Sequence, residues 1–265
     1  MATNQSPNIT VMIKAARKAS SKLRRDFGEV EQLQISNKGP GDFVTNADIR
    51  TEEILRDTLD YARPGYGFLM EESGEIIGSE VNKRWIIDPI DGTTNFIHGI
   101  PHFAISIALE DNGEIVAGVV YEPINDQMFW AEKGNGAWLN DRRIRVSGRK
   151  HIHDSIFATG IPLEKKNQKN IFKQIENVIT ASAGIRRFGS AALDLAYVAA
   201  GRFDGFWETD LNSWDIAAGI VLIKESGGMI SEINGGENLL ETGSVVATNP
   251  NLYTEFRRII QKKNA

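Results

Sequence analysis

Cysteine is absent from this chain of 265 residues. That excludes disulfides, thiolate nucleophiles and cysteine-ligated zinc or iron–sulfur centres in one step. It fits a reducing compartment, and the chain is expected in the cytoplasm. Long apolar runs are also missing. Nothing approaches the roughly 18–20 apolar residues of a membrane-spanning helix, and Met1–Thr10 lacks the charged-then-apolar order of a secretory signal. Positive charge is not in excess either. The 35 acidic and 30 basic residues leave a net charge of −5, the opposite of a general polyanion binder. The few histidines do not make a metal site. His98 and His102 flank the helix-breaking Gly99-Ile100-Pro101, and His151 and His153 read as surface loop residues. Ser190 has no Gly-x-Ser-x-Gly frame, which speaks against a serine hydrolase.

What remains is the composition of an ordinary globular protein, with no internal repeat, low-complexity tract or Pro/Gly/Ser-rich linker. Residues 11–27 are basic and amphipathic, a pattern shared by mitochondrial presequences. The simpler reading is a surface helix with Val11, Ala15, Ala19, Leu23 and Phe27 on its buried stripe. A short strand is expected at 31–36. A second helix follows Thr45 with Ala47, Thr51, Ile54, Leu55, Thr58, Leu59 and Ala62 at helical spacing, stopped by Arg63-Pro64-Gly65. Strands are expected at 66–70, 84–87, 103–109, 115–121 and 127–131. Past residue 147 the texture changes. Helices are expected at 168–181, 190–200, 214–226 and 250–262, and strands at 155–159, 204–207, 229–232 and 244–248. The expected organisation is an α+β half at 1–147 and an α/β half at 148–265, layered into one catalytic unit.

The chemistry concentrates in acidic residues. In Trp85-Ile86-Ile87-Asp88-Pro89-Ile90-Asp91-Gly92-Thr93-Thr94-Asn95-Phe96, an apolar strand runs into two aspartates three residues apart. Pro89 is expected to end the strand, and Gly92 permits a tight turn. Asp88 and Asp91 then converge at the strand's carboxyl end, a common ligand position in open sheets. Two carboxylates held that close repel unless a cation lies between them. Oxygen-only ligands favour magnesium, manganese or calcium over zinc. Thr93 and Thr94 begin a helix turn whose N–H groups attract phosphate. Three further acidic elements are weak alone: Glu71-Glu72-Ser73 after a strand, Asp48 with Glu52 one helical turn apart, and Trp214-Asp215 opening a helix. Taken singly, the Asp48–Glu52 pair reads as a solvated helix face and Asp215 as a complement to the helix dipole.

In order and spacing, these motifs resemble the inositol monophosphatase family of lithium-sensitive, metal-dependent sugar phosphatases, over about residues 8–262. The run Arg186-Arg187-Phe188-Gly189-Ser190-Ala191-Ala192-Leu193-Asp194-Leu195-Ala196-Tyr197 is similar to the family's bacterial branch. The resemblance implies an αβαβα five-layer sandwich of the sugar-phosphatase type, in the broad α/β class, and a homodimer. It implies one metal on Glu71, Asp88 and the Ile90 carbonyl. A second would lie on Asp88, Asp91 and Asp215, and a third, mostly water-ligated, near Glu71. The ions would be Mg²⁺, with Mn²⁺ an acceptable substitute and Li⁺ or Ca²⁺ inhibitory. Thr93 and Asp48 match residues that orient and help deprotonate the attacking water, with Glu71 beside them. Asp91, Gly92, Thr93, Thr94 and Asp215 match the phosphate end of the substrate site. Gly189, Ala191 and Glu208 match contacts to substrate hydroxyls, and Arg186 matches an arginine near that pocket. The family's lysine in the loop before Thr45 has no fixed counterpart, although Lys38 is near.

The implied activity is hydrolysis of a small polyol or inositol phosphate by metal-activated water, which needs neither cysteine nor histidine. Rival substrates are fructose 1,6-bisphosphate, histidinol phosphate and 3′-phosphoadenosine nucleotides. A rival of another class is an RNA- or transcription-complex-binding protein acting through Arg142-Arg143-Ile144-Arg145 and Arg149-Lys150. A solvated face explains that basic stretch more simply.

Overall fold

The computed structural model describes residues 5–29, 35–39, 42–162 and 165–262. The chain opens with helix α1 (Pro7–Gly28), one turn longer at its start than the periodicity predicts. Ser6 caps it by accepting from the Ile9 N–H, and Pro7 sits in the first turn, where its missing N–H is not needed. Ile9, Met12, Ala15, Ala16, Ala19 and Leu23 form the buried stripe. A hairpin of β1 (Ile35–Gly39) and β2 (Asp42–Thr45) leads into α2 (Asn46–Ala62). The strand expected at 31–36 thus falls partly outside the described residues.

There follow β3 (Tyr66–Met70), β4 (Gly74–Ile76), β5 (Glu80–Asp91), the short α3 (Thr93–Ile97), β6 (Ala104–Asp111), β7 (Glu114–Glu122), β8 (Gln127–Glu132), β9 (Gly136–Leu139) and β10 (Arg142–Ile144). Among the described residues, β3 to β10 make one sheet in the order β10-β9-β8-β7-β6-β5-β3-β4. Its pairings are antiparallel except β3 with β5. Pro89 does not end β5 as expected. Asp88 faces Ser106 of β6 while Asp91 faces Ala104, so three steps along β5 match two along β6. That bulge accommodates a proline with no N–H to give. Pairing with β3 stops at Ile87, so Asp88–Asp91 project past the neighbouring strand.

The rest of the chain supplies β11 (Ile156–Thr159), α4 (Lys165–Ala181), β12 (Gly184–Arg186), α5 (Ala191–Ala199), β13 (Gly205–Glu208), α6 (Ser213–Glu225), β14 (Met229–Ser231), α7 (Leu239–Thr242), β15 (Val245–Thr248) and α8 (Tyr253–Ile260). Its strands form a mixed sheet, β12-β11-β13-β15-β14, among the described residues.

Among the described residues, three apolar cores fix the layers. Met12, Ala19, Leu55 and Leu59 of α1 and α2 pack on Trp85, Ile87, Ile105 and Ile107 of the larger sheet. Its other face, through Ile86, Ala108, Val120 and Phe129, meets Leu193 and Leu195 of α5 and Ala217 and Val221 of α6, which also reach Phe206 and Ala247. On the far side of the smaller sheet, Phe157, Trp207 and Val246 meet Ile171 and Val178 of α4 and Phe256 and Ile260 of α8. The result is the expected αβαβα sandwich. Helix α6 lies in the central layer, covered on both sides, and Ile216 to Ile223 are all buried. A helix so placed needs no polar face.

Candidate active site

The bulged end of β5 and the start of α6 bring three carboxylates together. Oxygens of Asp88, Asp91 and Asp215 all lie within 4.8 Å of one another. Glu71, the residue after β3, comes within hydrogen-bonding reach of the Asp88 carboxyl. Its own N–H donates to the Ile87 carbonyl at 3.3 Å, which docks the turn against β5.

Each aspartate is held by a backbone N–H. Asp88 Oδ1 accepts from Ile90 N at 2.9 Å. Asp91 Oδ2 accepts from the Ser190 hydroxyl at 2.6 Å and from Ala192 N at 2.7 Å, at the start of α5. Asp215 Oδ2 accepts from Asn212 N at 2.7 Å, closing a capping box on α6. Burial still dominates their electrostatics. Desolvation, then the charges of Glu71, Asp91 and Asp215, push Asp88 well above the ordinary carboxylate range. Desolvation and the Asp91 charge push Asp215 up to about 8. Asp91 reaches about 6, because the Ser190 hydroxyl and the first N–H groups of α5 partly offset its burial. Carboxylates in this position hold protons unless a cation replaces them. Oxygen-only donors of this kind fit a hard divalent cation.

Asp48 is 0% exposed, and Glu52 only 2%. Neither lies on the solvated helix face that their spacing suggests, because that side of α2 packs against the site. Asp48 Oδ2 accepts from Thr45 N at 2.8 Å and from the Thr45 hydroxyl at 2.6 Å. Its Oδ1 is 3.1 Å from the Thr93 hydroxyl, which also lies 3.0 Å from the Ile90 carbonyl. Thr93 has one proton for two acceptors. Burial raises the proton affinity of Asp48, opposed by the hydrogen bonds from Thr45 and Thr93.

Above this floor lies a cleft of about 380 Å³. Glu71, Asp91, Gly92, Thr93, Thr94, Gly189, Ala191, Glu208 and Asp215 line it, which brings most of the predicted site to one place. Asp88 lies buried beneath it beside Ile90. Arg186 does not join them. It stands exposed on β12 and donates to the carbonyl of its neighbour Ile185, while Arg187 lines the cleft. The Lys38 side chain lies outside the described residues.

Gly92 is obligatory here. Its φ is +100°, and a Cβ would come 3.2 Å from the carbonyl oxygens of both Gly189 and His102. Asn95 ties the same region together by donating to His102 O and Phe188 O, each at 2.7 Å. Glu208 fits only because Gly160 has no side chain, since a Cβ there would fall 1.8 Å from Glu208 Oε1. Burial pushes Glu208 up to about 8, against the opposing pull of Arg187. Sequence reasoning missed Ser190, Gly160, Asn95 and Arg187. Only Ser190 carried a signal, a serine just before a helix.

The sequence model of the inositol monophosphatase family matches residues 4–265. An inositol-1-monophosphatase of Mesorhizobium japonicum is 53% identical over 255 residues, 96% of each chain. The Nus factor SuhB of Escherichia coli is 43% identical over 245 residues, 92% of each chain. Among solved structures, the extragenic suppressor protein suhB of Bartonella henselae superposes with a TM-score of 0.95 at 51% identity, covering 98% of this chain and 100% of that one. The Thermotoga maritima IMPase TM1415 gives 0.88 at 35% identity, covering 96% and 97%.

Proposed function

The chain belongs to the inositol monophosphatase family of phosphoric monoester hydrolases, and from that premise we propose that it converts inositol monophosphate, or a related small polyol phosphate, to the alcohol and inorganic phosphate using Mg²⁺. The meeting of Asp88, Asp91 and Asp215 within 4.8 Å carries this reading. Glu71, Asp88 and the Ile90 carbonyl would hold one ion and Asp88, Asp91 and Asp215 a second, with a third near Glu71. Bound divalent cations lower the pKa of water and neutralise charge on phosphoryl oxygens.

The chain's own groups account for the rest. The attacking water gives a proton to Thr93 Oγ as the Thr93 hydroxyl's own proton passes to Asp48 Oδ1, 3.1 Å away. Asp48 suits that role because burial raises its proton affinity. Gly92 and Thr94 meet the phosphate. Glu208 and the backbone at Gly189 and Ala191 bind hydroxyls of the alcohol, and Arg187, not Arg186, serves this end of the cleft. Family resemblance supports a homodimer, Mn²⁺ as a substitute, and inhibition by Li⁺ or Ca²⁺. Phosphate release from a panel of polyol, sugar and nucleotide phosphates, with and without Mg²⁺, tests the reading. Metal-independent release, or release confined to nucleotides, would overturn it.

A second role rests on the exposure of Arg142, Arg145 and Lys150, together with the Nus factor relatives. Salt-sensitive RNA binding that survives Asp91→Asn would establish it apart from catalysis.

A further inference from the structure

Asp88, Asp91 and Asp215 are fixed by backbone N–H groups, but Glu71 has a longer side chain and stands on a turn. The Glu71 N–H bond to the Ile87 carbonyl docks the start of that turn on β5, and a buried acid on another element holds the residues that follow. Glu52, in the second turn of α2, accepts the Glu72 N–H through Oε2 at 2.8 Å and the Ser73 hydroxyl through Oε1. Both carboxylate oxygens are thus committed to the two residues that directly follow Glu71. A buried carboxylate is costly unless it is hydrogen-bonded. Packing alone would be served better by an apolar side chain. One turn earlier on α2, Asp48 holds Thr93. The same helix face therefore grips two separate parts of the site.

We propose that Glu52 is a positioning residue that holds the 71–73 turn to α2 and so aims the Glu71 carboxylate at Asp88 and the metal beside it. This rests on the reading of Glu71 as a metal ligand. Loss of the anchor frees the turn, and Glu71 then pays conformational entropy each time it meets a cation.

The test is calorimetric titration of metal-stripped, full-length protein with Mg²⁺, alongside the melting temperature of each metal-free variant. Glu52→Ala should weaken Mg²⁺ binding about tenfold or more, the usual effect of removing a group that orients a ligand. Ser73→Ala removes one of the two bonds and should give a smaller loss. Glu52→Gln should fall between wild type and Glu52→Ala. Its amide oxygen can accept from Glu72 N–H, while its NH₂ donates to Ser73 Oγ. At saturating Mg²⁺, kcat should recover in all three. Wild-type Mg²⁺ affinity in folded Glu52→Ala overturns the proposal. If Glu52→Ala does not fold, wild-type affinity in Ser73→Ala overturns it. A Glu71→Gln control separates the two readings. Wild-type affinity in that variant refutes Glu71 as a ligand, whereas weakened binding there with normal binding in the others refutes only the positioning role.

Discussion

Replacing Asp91 with Asn removes one charge from the proposed metal centre and keeps its shape. In the wild type, Oδ2 accepts from Ser190 Oγ at 2.6 Å and from Ala192 N at 2.7 Å. The amide oxygen of Asn can take over both bonds, which turns its NH₂ toward Asp88 and Asp215. A donor then stands where a cation needs an acceptor. One unit charge acting on another at about 4 Å, in an effective dielectric of about 20, is about 4 kcal/mol, and Mg²⁺ carries two charges, so its affinity should fall at least a thousandfold. Turnover at moderate Mg²⁺ should fall with it, to near nothing. Stability should not follow. Metal-free wild type at pH 8 holds carboxylates that burial and mutual repulsion penalise, and the neutral amide relieves part of that. The metal-free variant should therefore melt at or above the wild-type temperature, with about 2–4 °C for each kcal/mol gained. Phosphate release against Mg²⁺ concentration, titration calorimetry and melts in chelator at pH 8 read the three quantities. Full activity or wild-type Mg²⁺ affinity would refute the metal assignment. A melting temperature far below wild type would make Asp91 a structural residue first.

Proton competition should be visible directly. Asp88, Asp215 (about 8) and Asp91 (about 6) all bind protons more tightly folded than unfolded. Between the ordinary carboxylate range and about pH 8 the folded state holds the extra protons, so metal-free stability should decline as pH rises through that window. Mg²⁺ must displace those protons, so its apparent affinity should climb from about pH 6 to 8 with measurable proton release, and a flat profile would contradict the linkage. Ser190→Ala removes both the hydroxyl bond to Asp91 and the cap of α5. Denaturant melts should show a loss of about 1 kcal/mol, and phosphate release should drop about tenfold; neither changing would remove Ser190 from the site. Gly160→Ala places a Cβ on Glu208 and should mimic Glu208→Gln. For a polyol phosphate KM should rise roughly five- to tenfold with the Mg²⁺ requirement intact. A normal KM in both variants would take Glu208 out of substrate binding.

The parts of the site that were legible in sequence are those whose local chemistry is unusual. Asp88 and Asp91 stand out because Pro89, Gly92 and two threonines crowd around them, and no plain surface turn needs all of these. The passage of β5 through Pro89 was not legible, because the bulge is a property of its pairing with β6. Asp48 and Glu52 look the same in sequence whether their face meets water or a buried turn. Only the contacts to Thr93 and to residues 72–73 decide it. The choice between Arg186 and Arg187 depends on how β12 pairs with β11 and on the backbone at Gly189, whose φ is +85°. Strands β4, β9, β10 and β12 have three or four residues each. Alternation cannot show over so few residues; the equally short β11, β13, β14 and β15 were legible only as apolar runs alternating with the expected helices.

Burying this many acids in one place has a common solution, visible at three helix starts. Asp48 and Asp215 each reach back to the N–H of their own helix's capping residue, in α2 and α6. Asp91 reaches across to the first N–H groups of α5 from outside that helix. The partial positive ends of three helices thereby face one cavity, which lowers the cost of the acids before any cation arrives. One oxygen bound to an N–H also leaves the other for the shared centre, and the short aspartate side chain suits a carboxylate that must serve both. The three helices belong to different layers. Helix α2 lies outside the larger sheet, and α5 and α6 lie between the two sheets. Glu71, Asp88 and Asp91 come from the first part of the chain, and Asp215, Glu208 and the start of α5 from the second. The centre exists only when the layers are stacked, so neither part is expected to bind the metal alone.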